Sequence, residues 1–311
     1  MPALPPALTI DTEGLRKNFG TRPAVRDLTL QIGRGEAFGF LGPNGAGKST
    51  SIKMLLGLVK PTGGRANLLG RPVGTREVRA RIGFLPEHFR FYDWLSASEL
   101  VTFQGRLCGV AENVLRRRVP QLLERVGLRA HGSKLLRSFS KGMMQRVGLA
   151  QAIVNDPDIL FLDEPTSGLD PAGRKLVRDV IREQRDRGAT VFLNSHLLGE
   201  VEKSCDRVAF IRDGTVVGMY AMGAWQAEHV EVEVVTGGLN AASFALLAAI
   251  DGLTVTANDG AKLRLRVPDE ESLPEAVRCL VETGVRVFSV IPQHISLEEL
   301  FLQTMGPDQG L

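Results

Sequence analysis

The chain is poor in cysteine, in aromatic residues and in net charge, and it has no long apolar run. Its three cysteines, Cys108, Cys205 and Cys279, are scattered and odd in number. That argues against a disulfide framework, no metal-ligand spacing appears, and free thiols in a reducing compartment are expected. No apolar run approaches the ~18 residues of a membrane-spanning helix; Phe244 to Ile250 comes nearest. The chain itself is therefore not expected to cross a membrane. Met1 to Pro6 has no basic stretch and is broken by proline, so no secretory signal is expected. A formal net charge of +3 gives no footprint for a nucleic-acid partner. Arg116-Arg117-Arg118 reads as a solvated helix face. With 43% hydrophobic and 23% charged residues the composition is globular. At 311 residues two domains are expected.

What is present is concentrated in one stretch, Gly42-Pro43-Asn44-Gly45-Ala46-Gly47-Lys48-Ser49-Thr50. It fits G-x-x-x-x-G-K-[ST]. The run before it, Ala37 to Leu41, is short, apolar and aromatic, as a buried strand would be. The run after it, Ser51 to Leu58, has helical spacing. Strand, glycine loop and helix together indicate a phosphate-binding P-loop. The glycines let successive N–H groups turn inward, and a helix N-terminus completes the anion nest. Lys48 would reach the β- and γ-phosphates of a nucleotide, and the Ser49 hydroxyl would sit on Mg2+.

The rest of the first two hundred residues supports that reading. Residues 8–41 read as β-rich, and Phe19 within them is either core or a ring that stacks on a base. From Ser96 to about Val126 the pattern turns helical, opened by the capping box Ser96-Ala97-Ser98-Glu99. Ser138 to Ala152 is a polar, glycine-bearing loop leading into an amphipathic helix. Asp158 to Pro165 is more telling: four apolar residues end in Asp163 and Glu164. A P-loop enzyme needs a strand-end carboxylate for Mg2+, and a second beside it can polarise the attacking water. Thr190 to His196 is another buried strand, ending in a histidine that could contact a phosphate. Val208 to Ile211 and Thr215 to Gly218 read as a hairpin around Asp213-Gly214.

These motifs, in this order, resemble the ATP-binding subunit of an ABC transporter over about residues 8–222, with a helical insert at about 96–150. The resemblance implies an α/β P-loop ABC ATPase fold: a mixed sheet with a β-subdomain and a helical subdomain. It assigns Walker A to residues 42–50, the Q-loop region to 82–88, the signature to 139–147 and Walker B to 159–164. The D-loop would be Ser167 to Asp170 and the switch histidine His196. Site roles follow from it. Phe19 stacks on adenine where Tyr is usual. Gly42 to Thr50 bind ATP. Ser49, Asp163 and Glu87 serve Mg2+; Glu87, standing where Gln is usual, is also a catalytic residue that meets water through an oxygen. Glu164 polarises water and His196 stabilises the γ-phosphate. Ser140, Lys141, Gly142 and Asp170 also bind ATP, Ser140 and Gly142 acting across a dimer with a second copy or a paralogous subunit. The signature reads Phe139-Ser140-Lys141-Gly142-Met143 where L-S-G-G-Q is common. This variant and Glu87 look like the exporter branch with separate membrane subunits. The implied partner is an integral membrane permease, and the implied place is the cytoplasmic face of the membrane. No [NT]-K-x-D motif for guanine occurs. Two other readings stand beside it: a soluble, non-transport ABC ATPase, and a regulatory subunit that binds ATP without turnover.

Two further stretches carry expectations. His88 to Leu95 holds four aromatics in eight residues, in a chain that is 6% aromatic. They read as a local core, or as a patch receiving a helix of the permease; the resemblance places the permease contact here. In residues 228–311 the periodicity gives the order βαββαβ, a small ferredoxin-like α+β domain. A short helix from Ser296 to Gln303 closes the chain, and packing or dimer support is the expected role of this domain, with ligand sensing as the alternative.

Overall fold

The computed structural model describes residues 8–88, 91–223, 230–293 and 296–306. A two-residue turn at Gly20-Thr21 folds β1 (Leu8–Phe19) against β2 (Arg22–Gly33), antiparallel. Then come β3 (Ala37–Leu41), α1 (Lys48–Leu55), β4 (Gly63–Leu68), β5 (Arg71–Pro72), α2 (Arg76–Ala80) and β6 (Ile82–Leu85). Three helices follow: α3 (Ala97–Leu107), α4 (Glu112–Arg125) and α5 (Lys141–Ala152). The chain re-enters the sheet with β7 (Ile159–Asp163), α6 (Pro171–Asp186), β8 (Thr190–Asn194), α7 (Leu198–Glu202), β9 (Arg207–Arg212) and β10 (Thr215–Ala221).

The sheet order is β5-β4-β1-β2-β10-β9-β3-β8-β7-β6. Strands β6, β7, β8, β3 and β9 run parallel. Every residue of β3, β7 and β8 is buried. That explains their unbroken apolar sequences, because parallel strands are covered on both faces. Phe192 is the hub, with ring centroids 5.8 Å from Phe38 and 5.3 Å from both Phe40 and Phe161. Burying one such ring stabilises the fold by ~1.5–3 kcal/mol. The capping box forms as read: Ser96 accepts from the Glu99 N–H, and Glu99 accepts from that of Ser96. The helical subdomain has its own core of Leu100, Val101, Leu115, Val119, Leu123 and Val147. The expected solvated face of three arginines holds only in part. Arg116 and Arg117 are exposed, whereas Arg118 donates to the Val154 carbonyl at 3.0 Å and staples α4 to the end of α5.

The remaining elements are β11 (Val230–Gly237), α8 (Ala241–Ala248), β12 (Thr254–Asn258), β13 (Lys262–Val267), α9 (Leu273–Glu282), β14 (Arg286–Gln293) and α10 (Leu297–Met305). The antiparallel order β12-β13-β11-β14 is that of a ferredoxin-like sheet. Its core joins Val232, Val234, Leu263 and Leu265 to Leu247 and Leu280 of the helices. The chain divides into two compact units, Met1–Tyr220 with Phe301–Leu311, and Ala221–Leu300. The closing helix, grouped with the tail in the sequence reading, thus ends in the first unit. There the Phe301 ring meets Phe210 edge-on at 5.4 Å, and Phe210 lies 5.3 Å from Tyr220. The Arg212 guanidinium donates to the carbonyls of Thr304 and Met305 at 3.5 and 3.4 Å, at the end of α10.

Candidate active site

The glycine loop leaves β3 at a place where side chains do not fit. A Cβ on Gly42 would lie 2.2 Å from the Ile211 carbonyl oxygen. Gly47 has φ +104°, and its Cβ would lie 2.5 Å from the Ala24 carbonyl oxygen. Glycine alone satisfies both positions. The loop is closed by Ala46 N–H to Pro43 O at 3.2 Å, and the Gly214 N–H at the tip of the β9–β10 turn donates to Ala46 O at 3.0 Å. Helix α1 then starts at Lys48, so its unpaired N–H groups and positive dipole end face the loop. The Lys48 ammonium donates to Pro43 O at 3.1 Å and to Gly42 O. Burial lowers its pKa, while the charges of Glu164, Asp163 and Glu87 act in the opposite sense.

The carboxylates stand on the neighbouring strand end. Asp163, last in β7, pairs in register with Asn194 of β8, whose amide donates to its Oδ1 at 2.5 Å. Burial raises the Asp163 pKa against that hydrogen bond. Glu164 has a left-handed backbone, φ +51°, which costs ~1–3 kcal/mol in a non-glycine residue. It is held there from both sides. Its N–H donates to Asn194 O at 2.8 Å, and Gln145 of α5 donates to the carbonyls of Glu164 and Pro165 at 3.1 and 2.9 Å. Its Oε2 lies 2.7 Å from His196 Nδ1. Burial raises the Glu164 pKa, and the imidazole pulls it back. A carboxylate of raised basicity, with an imidazole beside it, can draw a proton from water.

One cleft of about 680 Å³ collects most of the residues singled out in the sequence. Phe19, Gly42, Asn44, Gly45, Gly47, Lys48, Ser49, Thr50, Glu87, Glu164 and His196 all line it. Phe19 is 54% exposed, so it is not core, and Lys17 Nζ lies 4.9 Å from its ring centre. Pro43 and Ala46 shape the loop through their backbone instead of lining the cleft. Asp163 does not line the cleft; it is buried and hydrogen-bonded to Asn194, which does. The sequence reading missed Arg22, Asn194 and Gln145. Arg22 and Asn194 line the cleft, and Gln145 is the buried amide that fixes Glu164.

Ser140, Lys141, Gly142 and Asp170 do not line this cleft. Ser140 caps α5, accepting from the Met143 N–H at 3.3 Å. Lys141 donates to Ser167 Oγ at 3.2 Å. Asp170 caps α6 by accepting from the Gly173 N–H at 2.8 Å, and lies 3.6 Å from Arg146. A Cβ on Gly142 would meet its nearest neighbours at an ordinary 3.6 Å.

The oxygen atoms of Ser49, Asp163 and Glu87 are the hard donors that Mg2+ takes. Asn194 Oδ1, next to Asp163, is buried without a hydrogen-bond partner among the described residues. The donor set fits that ion. Among the described residues no cluster of three or more His, Cys, Asp and Glu is placed to hold a metal. Magnesium bound by one or two carboxylates and substrate phosphates requires none.

Residues 25–167 match the family model described as ABC transporter. An uncharacterized ABC transporter ATP-binding protein of Synechocystis sp. is 46% identical over 196 residues, 62% of this chain and 55% of its own length. The chain thus spans little more than half of that relative. The Nod factor export ATP-binding protein I of Bradyrhizobium diazoefficiens is 34% identical over 309 residues, 96% of this chain and 97% of its own. The chain belongs to the ABC transporter ATP-binding proteins. A solved structure titled as the ATP binding subunit of an ABC transporter superposes on this ABC protein with a TM-score of 0.67 and 30% identity. It covers 70% of this chain and 92% of the other. The first unit is therefore an α/β P-loop ABC domain, a nucleotide-binding fold.

Proposed function

We propose that this ABC subunit hydrolyses ATP and so powers a separate membrane permease, in the direction of export. The observation that carries the reading is the 2.7 Å contact of Glu164 with His196 in the cleft that also holds Lys48. Lys48, Thr50 and the loop N–H groups bind the phosphates, and Phe19 stacks on the base. Ser49, Asp163 and Glu87 would hold Mg2+, which would shield phosphate charge. Glu164 takes the proton of the attacking water, and His196 steadies the charge on the γ-phosphate. That both Glu164 and His196 are in place speaks against a regulatory subunit without turnover. Phosphate release from ATP by the purified chain, dependent on added Mg2+, tests the reading. A preparation that binds ATP and releases no phosphate overturns it.

Ser140, Lys141, Gly142 and Asp170 lie away from their own cleft, which suits action on a nucleotide held by a second subunit. Two copies would close head to tail on two ATP molecules, and hydrolysis would reopen them, a shift between two states by a ligand that prefers one. Gly142→Asp would set a carboxylate against the γ-phosphate. We expect ATP binding by the monomer to be unchanged and the ATP-dependent dimer to be lost, read by light scattering. Wild-type dimerisation of this variant would remove the signature loop from the interface.

No helix among the described residues is long and apolar enough to cross a membrane. A permease would supply the spans, with this subunit peripheral at the cytoplasmic face. The export direction draws on the relative named for Nod factor export and on the variant residues Glu87 and Ser140 to Met143. The aromatic stretch splits by exposure. Phe91 packs on the helical core, whereas Tyr92 and Trp94 are 50% and 66% exposed; Phe89 lies outside the described residues. Tyr92 stacks at 5.0 Å from Trp94 and 6.3 Å from Phe103, and the three rings line a groove of about 520 Å³ with Leu95 and Thr102. A partner helix fits such a groove. Replacing Tyr92 and Trp94 with Ala should leave the melting temperature and basal turnover unchanged and abolish recovery of the permease in a pull-down. A large drop in melting temperature with recovery intact would place these rings in the core.

A further inference from the structure

Behind the contact of Glu164 with His196 lies a narrow void. It is lined by Pro165 and Thr166, which follow Glu164, by Ser195, which precedes His196, and by Arg178 and Glu200. Arg178 of α6 donates to Glu200 of α7 at 2.5 Å. The two side chains are only 25% and 15% exposed. Neither residue lines the nucleotide cleft.

Helix α7 has five residues, too few to hold its place without tertiary contacts. Leu198 and Val201 bury one side of it, and Glu200 ties it to α6. His196 stands two residues before the first residue of α7. The Leu197 N–H donating to Ser195 Oγ at 3.1 Å stiffens the link between them. Glu164, for its part, holds a backbone conformation that persists only when its surroundings enforce it. The contact of Glu164 with His196 therefore depends on two loops kept in fixed relation. In front, Asp163 pairs with Asn194 between β7 and β8. Behind, the ion pair of Arg178 with Glu200 joins the helices that follow each loop.

We propose that Arg178 and Glu200 are positioning residues for ATP hydrolysis: their ion pair fixes the His196 loop against Glu164. The inference rests on reading Glu164 and His196 as the hydrolytic pair. It separates binding from turnover, because the cleft surface is untouched when the pair is broken.

The test compares steady-state hydrolysis and nucleotide affinity of the full chain in a panel of variants. Arg178→Met and Glu200→Gln should lower kcat by ~10–100-fold, the cost of a misplacement on the order of 1 Å. KM and the Kd for ATP should stay within about twofold, as for an interaction felt only in the transition state. Arg178→Lys, which keeps the charge, should recover most of the loss. Arg125→Met is the control. It breaks a comparable pair with Glu183, 3.0 Å long, between α4 and α6, and should leave kcat near wild type. Glu200→Gln preserves shape and carries the test if Arg178→Met does not fold. A kcat for Glu200→Gln equal to that of Arg125→Met overturns the proposal, as does a loss expressed in KM alone. Glu164→Gln distinguishes the two levels. Turnover by that variant overturns the hydrolytic reading itself. An inactive Glu164→Gln beside a fully active Glu200→Gln overturns only the positioning role.

Discussion

Glu164→Gln should bind ATP as wild type does, and lower turnover by ~10²–10⁴-fold, the range supplied by a positioned general base. The substitution keeps size and shape, so the strained φ of +51° and the hydrogen bonds from Gln145 and to Asn194 are retained. What disappears is the buried carboxylate whose basicity is raised by burial. The amide cannot take a proton from water. It also removes a negative charge facing the phosphates, so the ATP-bound, closed dimer should accumulate. Phosphate release measures the first effect, and light scattering with ATP and Mg2+ the second. Near-normal phosphate release would falsify the assignment of Glu164 as the base.

Lys48→Ala should fail one step earlier. The ammonium lies in the field of Glu164, Asp163 and Glu87, and it is the only Lys or Arg on the glycine loop. Without it, the field of these carboxylates on the incoming phosphates loses the cation placed among them. Truncating one member of a desolvated charge pair costs ~2–5 kcal/mol, which is ~30- to several thousand-fold in affinity at 1.4 kcal/mol per tenfold. Calorimetric titration with ATP should show that loss with a melting temperature close to wild type, since the side chain is only half buried. Binding within about threefold of wild type would mean that the loop N–H groups alone hold the triphosphate. Together the two variants separate the roles: one loses the ligand, the other keeps it and cannot use it.

The place of both residues in one cleft was legible in the sequence because their surroundings are local. Gly42 and Gly47 are demanded by backbone contacts that only glycine permits, and Asp163 and Glu164 directly follow an apolar strand. The Asp213-Gly214 turn and the four-stranded tail were legible for the same reason. Gln145, Asn194 and Arg118 were not. Gln145 reads as one polar residue of an amphipathic helix, and nothing nearby says that its amide is buried against carbonyls 19 and 20 positions on. Asn194 acquires its role only when β8 pairs with β7. Exposure was the other blind spot. Phe91 and Tyr92 are adjacent and both aromatic, yet one packs against the helical core and the other is exposed.

The return of the chain at Phe301 gives the small α+β unit the standing of a guest. It is spliced between Tyr220 and Phe301 of its host, and these two residues flank Phe210 in one aromatic cluster of the host. Loop-closure entropy grows only with the logarithm of the loop, ~0.6 kcal/mol per doubling. A guest of half or twice the size is therefore nearly as easy to accommodate, so long as its ends meet at the same seat. Modules of different origin can be exchanged for residues 221–300 while the ATP-binding host, from Phe301 onward as well as before Ala221, stays as it is.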